Sequence, residues 1–253
     1  MKLNFRQAGE GNPLIILHGL FGSGDNWVTV TKPLAEHFSV FVLDQRNHGR
    51  SPHSPVHTYH SMADDLLEFI LDNKLENPFI LGHSMGGKTA MQLALNHPDN
   101  LEKLIVVDIS PRYYKPHHQD VIAGLSAVDL EILKSREQAE AFMIPYLAEP
   151  GVRQFLLKNL YRSESGGFAW RMNLKDILDQ IENIGIENKG VPFKKPTLFL
   201  RGQNSNYIKE EDNNIIKALF PHSSVQTING AGHWVQAEKP REFVDAVVNF
   251  LNT

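Results

Sequence analysis

Short runs of apolar residues recur along the chain, and most of them are followed by a segment with apolar residues at helical spacing. The runs are unbroken, which is typical of strands buried on both faces of a parallel sheet. Their alternation with helical segments predicts an α/β fold: a mostly parallel sheet with helices on both faces. The runs lie at residues 14–17, 40–43, 79–81, 104–107, 198–200 and 225–228, with a weaker edge strand at 3–6.

The alternation of strand and helix stops between residues 109 and 191. This segment has helical periodicity and gives no new strand signal. We therefore expect one α/β domain, residues 1–253, with residues 109–191 as a helical lid inserted between two strands. The expected lid helices lie at 121–133, 137–147, 152–160 and 174–184.

The composition of the chain argues against several classes of function. At 253 residues and 42% hydrophobic, the chain can bury one substantial core. A net charge of −4 without a basic stripe argues against nucleic acid as a partner, and the absence of cysteine excludes disulfides, thiolate metal sites and a cysteine nucleophile. No apolar run reaches the ~18 residues that span a bilayer, and the first residues lack the apolar region of a signal peptide, so we expect a cytoplasmic protein.

One apolar run leads directly into a helix through Gly82-His83-Ser84-Met85-Gly86, a G-x-S-x-G pattern. A strand that turns at once into a helix forces its corner residue to positive φ, and we expect Ser84 to be that residue. A Cβ at Gly82 or Gly86 would collide across so tight a turn. The pattern predicts a nucleophile elbow, with the Ser84 hydroxyl at a helix N-terminus. A glycine-rich turn with an ordinary serine is the alternative.

The carboxyl ends of parallel strands meet at one edge of a sheet, which is where such folds bind ligands. Ser84 needs a base there, and His233 lies in a glycine-containing loop after the last strand. A third group must orient that imidazole. We predict that this group is Asp108, which ends the strand at residues 104–107, the first strand after the G-x-S-x-G turn. The loop after residues 198–200 offers only amides and hydroxyls. The alternatives are a packed histidine at 233 and an aspartate at 108 that only caps a turn.

An acyl-transfer site also needs donors for a developing oxyanion. We expect the backbone N–H of Met85 to supply one. The second should come from the loop that begins at His18-Gly19, with Leu20 favoured and Phe21 as the alternative.

Other conspicuous residues have simpler interpretations. Four histidines in one loop fit no zinc spacing, so we interpret them as surface residues and expect neither a metal nor a cofactor. Asp44 is expected to organise the following turn with its carboxylate. Lys88 either lines the pocket or reaches solvent, and six lid aromatics are expected mainly in the lid core. The histidines are His48, His53, His57 and His60, to which the pair His117-His118 at the lid entrance is similar; the aromatics are Phe142, Tyr146, Phe155, Tyr161, Phe168 and Trp170.

Six segments together resemble the YbfF-type esterases of the α/β-hydrolase superfamily. The resemblance covers nearly the whole chain and is weakest in the lid. It implies a cofactor-free esterase or thioesterase that acts on acyl esters, with acyl-CoA as a candidate, and it implies Ser84, Asp108 and His233 as the triad. The segments are HGLFGS (18–23), DQRNHGRS (44–51), GHSMGGK (82–88), VVDISP (106–111), GQNSNYI (202–208) and GAGHWVQAEKP (230–240).

Three function hypotheses follow. The leading one is a serine hydrolase that cleaves small-molecule carboxylic esters or thioesters through an acyl-Ser84 intermediate. The second uses the same triad for C–C bond hydrolysis or cofactor-free perhydrolysis, since this fold does not fix the reaction class. The third is a non-catalytic binding module, which would have no need of all three residues.

Overall fold

The structure, a computed structural model, describes residues 1–115, 118–164 and 166–253. Most of the described chain lies in strands and helices that alternate, as the apolar pattern predicts. The strands are β1 (Phe5–Ala8), β2 (Pro13–Leu17), β3 (Ser39–Leu43), β4 (Phe79–His83), β5 (Lys103–Val107), β6 (Leu160–Arg162), β7 (Phe168–Trp170), β8 (Thr197–Gly202) and β9 (Ser223–Ile228). The helices are α1 (Val28–Leu34), α2 (Tyr59–Asp72), α3 (Met85–Asn96), α4 (Gln119–Ser126), α5 (Arg136–Met143), α6 (Pro150–Leu157), α7 (Leu174–Asp179), α8 (Asn213–Leu219), α9 (Val235–Glu238) and α10 (Pro240–Leu251).

Seven of the strands form one sheet in the order β1-β3-β2-β4-β5-β8-β9. Every neighbouring pair in it is parallel except β1 with β3, which are antiparallel. The expected edge strand is confirmed, although it lies at Phe5–Ala8 and not at residues 3–6. The six parallel strands therefore end at one edge of the sheet. Ser84, Asp108 and the loop that carries His233 all follow strand ends at that edge.

Alternate residues of the unbroken apolar strands point to opposite faces of the sheet, and each face is covered by helices. In β2, Ile15 packs in a cluster with α2, α3 and α8, whereas Ile16 packs in a second cluster with α1 and α10. The predicted two-sided α/β architecture is confirmed. The longest helix, α2, has 14 residues, and none in the described part of the chain is long and apolar enough to cross a membrane.

The segment between β5 and β8 contains helices α4 to α7, and it also contains the β6–β7 hairpin. The expectation that this segment has no strand is therefore wrong. Gly166 has φ 96°, so the glycine pair that looked like a helix interruption forms the turn of a hairpin. As a result α6 ends at Leu157, and Leu160 begins a strand instead of ending the expected helix.

The apolar residues of this segment pack against each other and against side chains around the strand ends. Its cluster includes Leu156 and Ile177 from the segment together with Leu20 and Met85 from the sheet edge. The segment thus forms a cover above Ser84, and a cavity remains between the cover and the sheet.

Candidate active site

Ser84 occupies the corner between β4 and α3, with φ 53° and ψ −117°. The positive φ predicted from the G-x-S-x-G pattern is confirmed. A Cβ on Gly82 would lie 2.2 Å from the carbonyl oxygen of Gly86, so a side chain there would collide across the turn. A Cβ on Gly86 would instead lie 2.5 Å from the carbonyl oxygen of Leu17 on β2. The expected collision across the turn is therefore confirmed for Gly82, whereas Gly86 is required by the neighbouring strand.

Asp108 and His233 lie side by side, although 125 residues separate them in the sequence. The carboxylate of Asp108 is fully buried at the end of β5, and its Oδ2 lies 2.7 Å from Nδ1 of His233. Because a carboxylate can only accept, Nδ1 of His233 carries the proton, and Nε2 is left with its lone pair. An imidazole in this tautomer can accept a proton at Nε2.

The loop after β8 holds the Asp108 carboxylate in place. The N–H of Gly202 donates to Oδ1 at 3.0 Å, and the hydroxyl of Ser205 donates to Oδ2. This loop contains no carboxylate that could serve as a triad acid. Its hydroxyl and amide groups, close to an expected carboxylate, were the sequence signal that it supplies hydrogen-bond donors to Asp108.

His83 links the strand that carries Ser84 to the loop that carries His233. Its Nε2 donates to the carbonyl oxygen of His233 at 2.9 Å, and the two rings lie 4.7 Å apart. Burial lowers the pKa of His83 well below its ordinary value, so the ring stays neutral. The ring of Tyr207 also stacks on that of His233, at 4.0 Å between centroids. The imidazole of His233 therefore contacts two rings, and both His233 and Ser84 line one cavity.

The two candidates for the second oxyanion donor differ in what their N–H groups contact. The N–H of Phe21 donates to Nε2 of His48 at 3.1 Å and is therefore occupied. For the N–H groups of Leu20 and Met85, no partner is found among the described residues. Met85 opens α3, where the first N–H groups of a helix are unpaired and favour negative charge. Leu20 and Met85 also both line the space next to Ser84.

The interpretation of the loop histidines as surface residues is wrong for two of them. His53 and His60 are exposed, but His48 and His57 are fully buried. His48 donates from Nδ1 to the carbonyl oxygen of Arg46 at 2.9 Å, which leaves its Nε2 to accept from the N–H of Phe21. Burial holds the pKa of His48 well below its ordinary value. No local pattern in the sequence indicated that these two rings would be buried.

Asp44 accepts hydrogen bonds from the N–H groups of Arg50 at 2.9 Å and Gly24 at 2.7 Å. This confirms the prediction that its carboxylate organises the turn that follows it.

The remaining histidine prediction concerns the lid entrance. His117 lies outside the described residues, while His118 is partly buried and lines the cavity. In residues 1–115, 118–164 and 166–253, no three His, Cys, Asp or Glu side chains are grouped so that they could hold a metal ion.

Lys88 neither lines the cavity nor reaches solvent. Its side chain is fully buried, and Nζ donates to the carbonyl oxygens of Pro111, Arg112 and Ile186 at 3.3, 2.6 and 2.8 Å. Pro111 and Arg112 lie near the start of the inserted segment, and Ile186 lies near its end. The ammonium form, with three N–H donors, can bond all three carbonyl oxygens at once, whereas the neutral amine can bond two of them. Lys88 therefore joins the two ends of the cover.

A cavity of about 580 Å³ opens from Ser84 and His233 toward α6 and Trp234. Of the six aromatics assigned mainly to the lid core, Phe155 lines this cavity, and its ring lies 5.6 Å from that of Trp234. A smaller space of about 20 Å³ lies on the other side of Ser84. A separate hollow of about 670 Å³ lies along β9 and α10, and Ser84 is not among the residues that line it.

Known proteins are similar to this chain in sequence and in fold. Residues 12–130 match a protein family described as alpha/beta hydrolase fold. The chain is 42% identical to the sn-1-specific diacylglycerol lipase ABHD11 of Mus musculus, over 94% of this chain and 80% of that protein. It is 38% identical to esterase YbfF of Escherichia coli (strain K12), over 100% of both chains. A solved marine microorganism esterase superposes with a TM-score of 0.96 and 44% identity, over 98% of this chain and 99% of that one. The chain therefore belongs to the α/β-hydrolase family, in the branch of the YbfF-type esterases.

Proposed function

We propose that the protein is a serine hydrolase that cleaves carboxylic esters of small molecules through an acyl-Ser84 intermediate, with Asp108 and His233 completing the triad. The observation that carries the proposal is the 2.7 Å hydrogen bond between His233 Nδ1 and buried Asp108, next to the cavity that Ser84 lines. This bond leaves Nε2 as the base, and a serine hydroxyl needs such a base to become nucleophilic near neutral pH.

The first half of the reaction forms the acyl-enzyme. Nε2 of His233 takes the proton from Ser84 as Oγ attacks the ester carbonyl carbon. The carbonyl oxygen becomes an oxyanion, which the N–H groups of Leu20 and Met85 bind. The C–O bond to the alcohol then breaks, and Nε2 gives its proton to the departing oxygen.

The second half repeats these steps with water. His233 removes a proton from a water molecule, which attacks the carbonyl carbon of acyl-Ser84. The oxyanion forms at the same N–H groups, and the collapse of this intermediate releases the carboxylic acid with return of the proton to Ser84. Asp108 stabilises the imidazolium in both halves, because its carboxylate accepts from Nδ1 and is itself held by Gly202 and Ser205.

Residues 109–191 act in this proposal as a lid inserted in a single α/β domain, and the lid sets which esters fit. Thioesters, acyl-CoA included, can follow the same steps because their carbonyl carbon and leaving group occupy equivalent positions. A matched oxygen ester and thioester with the same acyl group, compared by kcat/KM, separates the two substrate classes. We expect both to be cleaved and the loss of Ser84 to abolish both activities.

Hydrolysis of p-nitrophenyl acetate tests the proposal. We expect Ser84→Ala to lower kcat by roughly 10³-fold or more. Ser223→Ala is the matched control, because Ser223 is also buried but begins β9, at the opposite edge of the sheet. Its activity should stay near that of the unmodified protein. Wild-type-like turnover by a folded Ser84→Ala variant would refute the proposal.

A further inference from the structure

Ser84 lies between two compartments of very different size. The large one has a volume of about 580 Å³ and is lined by apolar groups of Val152, Phe155 and Leu156 on α6, together with Trp234. The small one has a volume of only about 20 Å³. It is lined by side chains that include Met85, Ile109, Tyr114 and Ile184.

The two compartments differ in their access to the base His233. His233 lines the large compartment, and it is absent from the described residues that line the small one. The departing alcohol oxygen must reach Nε2 of His233, which protonates it. The alcohol part of a substrate must therefore extend into the large compartment. The carbonyl carbon is bonded to Ser84 Oγ and its oxygen faces the N–H groups of Leu20 and Met85, so the remaining substituent, the acyl chain, points into the small compartment.

The walls of the small compartment are held by hydrogen bonds. The hydroxyl of Tyr59 donates to the carbonyl oxygen of Ile184 at 2.8 Å. The hydroxyl of Tyr114 accepts from the N–H of Ser110 at 2.8 Å and donates to the carbonyl oxygen of Tyr207. Widening this compartment for a long chain would break bonds between buried groups, which is costly. The large compartment needs no such change to accept an extended apolar group.

We propose that the site is divided by Ser84 and selects esters with a short acyl group, such as acetyl, and an extended apolar alcohol. The inference rests on the proposed ester hydrolysis and adds the substrate class to it. The C–O bond that breaks joins a small acyl carbon to a large alkoxy group, and the proton from His233 goes to that alkoxy oxygen.

Two isomeric esters test the division directly. Octyl acetate and methyl nonanoate have the same atoms and differ in which side of the ester carries the chain. Each methylene that fails to find apolar burial costs about fourfold in kcat/KM, so we expect at least about a tenfold preference for octyl acetate. If p-nitrophenyl acetate is hydrolysed but methyl nonanoate equals or exceeds octyl acetate, the division is refuted while the proposed function stands. If no ester is hydrolysed, the proposed function fails, and the inference fails with it.

Variants of each compartment should change different preferences. Ile184→Ala enlarges the small compartment and should raise the ratio of butanoate to acetate turnover by at least about fivefold. Ile144→Ala is the matched control, because Ile144 is exposed and lines neither compartment; it should leave the ratio unchanged. Val152→Trp narrows the large compartment and should lower the ratio of octyl acetate to methyl acetate. The reverse pattern, with Val152→Trp acting on acyl length, would overturn the assignment.

Discussion

Replacing Asp108 by asparagine removes the negative charge of this side chain and changes the tautomer of His233, while the shape of the side chain stays nearly the same. The carboxylate accepts from three donors: the N–H of Gly202 at 3.0 Å, the hydroxyl of Ser205, and Nδ1 of His233 at 2.7 Å. An amide has one acceptor oxygen and one NH₂ group. If the oxygen keeps its bond with Gly202, the NH₂ group faces Nδ1 of His233. The imidazole then carries its proton on Nε2 and cannot take the proton of Ser84.

The size of the effect follows from this loss of the base. The same change of tautomer in serine proteases lowers kcat about 10⁴-fold, which corresponds to about 5 kcal/mol of activation free energy. We expect a similar loss for Asp108→Asn in the hydrolysis of p-nitrophenyl acetate. Circular dichroism should show an intact fold, because the side chain keeps its size and most of its contacts.

Asp212→Asn is the matched control for this experiment. Asp212 is also buried, but its carboxylate pairs with Arg112 at 2.9 Å and accepts from the N–H of Lys209. We expect its kcat to stay within about tenfold of the unmodified protein. If Asp108→Asn retains activity within tenfold while Asp212→Asn is inactive, the assignment of Asp108 as the triad acid is wrong.

Three further substitutions test residues around the site. Burial lowers the pKa of Lys88 to about 7, whereas the unfolded chain keeps its proton to about 10.5. Between these pH values the unfolded state thus binds more protons than the folded state. Urea titrations should therefore show that the free energy of unfolding of the wild type, relative to that of Lys88→Met, rises by about 1.4 kcal/mol per pH unit above pH 7. His48→Phe removes the acceptor for the N–H of Phe21 and should lower kcat by about 10²-fold with little change in KM, while His48→Gln restores part of the loss. Ser205→Ala removes one donor to Asp108 and should lower kcat by roughly tenfold, measured on the same ester.

Local backbone geometry made the position of Ser84 at the corner predictable from the sequence. Gly82 marks a turn too tight for a side chain, and the structure places Ser84 there with φ 53°. The unbroken apolar strands likewise predicted the parallel sheet, because strands buried on both faces need no polar alternation. The pairing of Asp108 with His233 was predictable because the loop at residues 202–206, the other candidate source of an acid, contains no carboxylate.

Contacts between distant segments account for what the sequence did not reveal. His48 and Lys88 looked like surface or pocket residues because no local pattern indicates that a polar side chain will find buried partners. Their partners, Phe21 for His48 and the carbonyl groups of Arg112 and Ile186 for Lys88, lie 24 or more residues away or on separate elements. The β6–β7 hairpin was missed because its strands have three residues each, too few to show a period of two.

The covalent state of Ser84 shows directly whether this side chain is the nucleophile. Incubation with a fluorophosphonate, followed by intact-protein mass spectrometry and peptide mapping, reports which hydroxyl attacks an electrophile held at the site. We expect one adduct per chain, located on Ser84, with labelling strongly slowed in Asp108→Asn because the base is lost. A stoichiometric adduct on any other residue, or none on Ser84 in a protein that hydrolyses esters, would contradict this expectation.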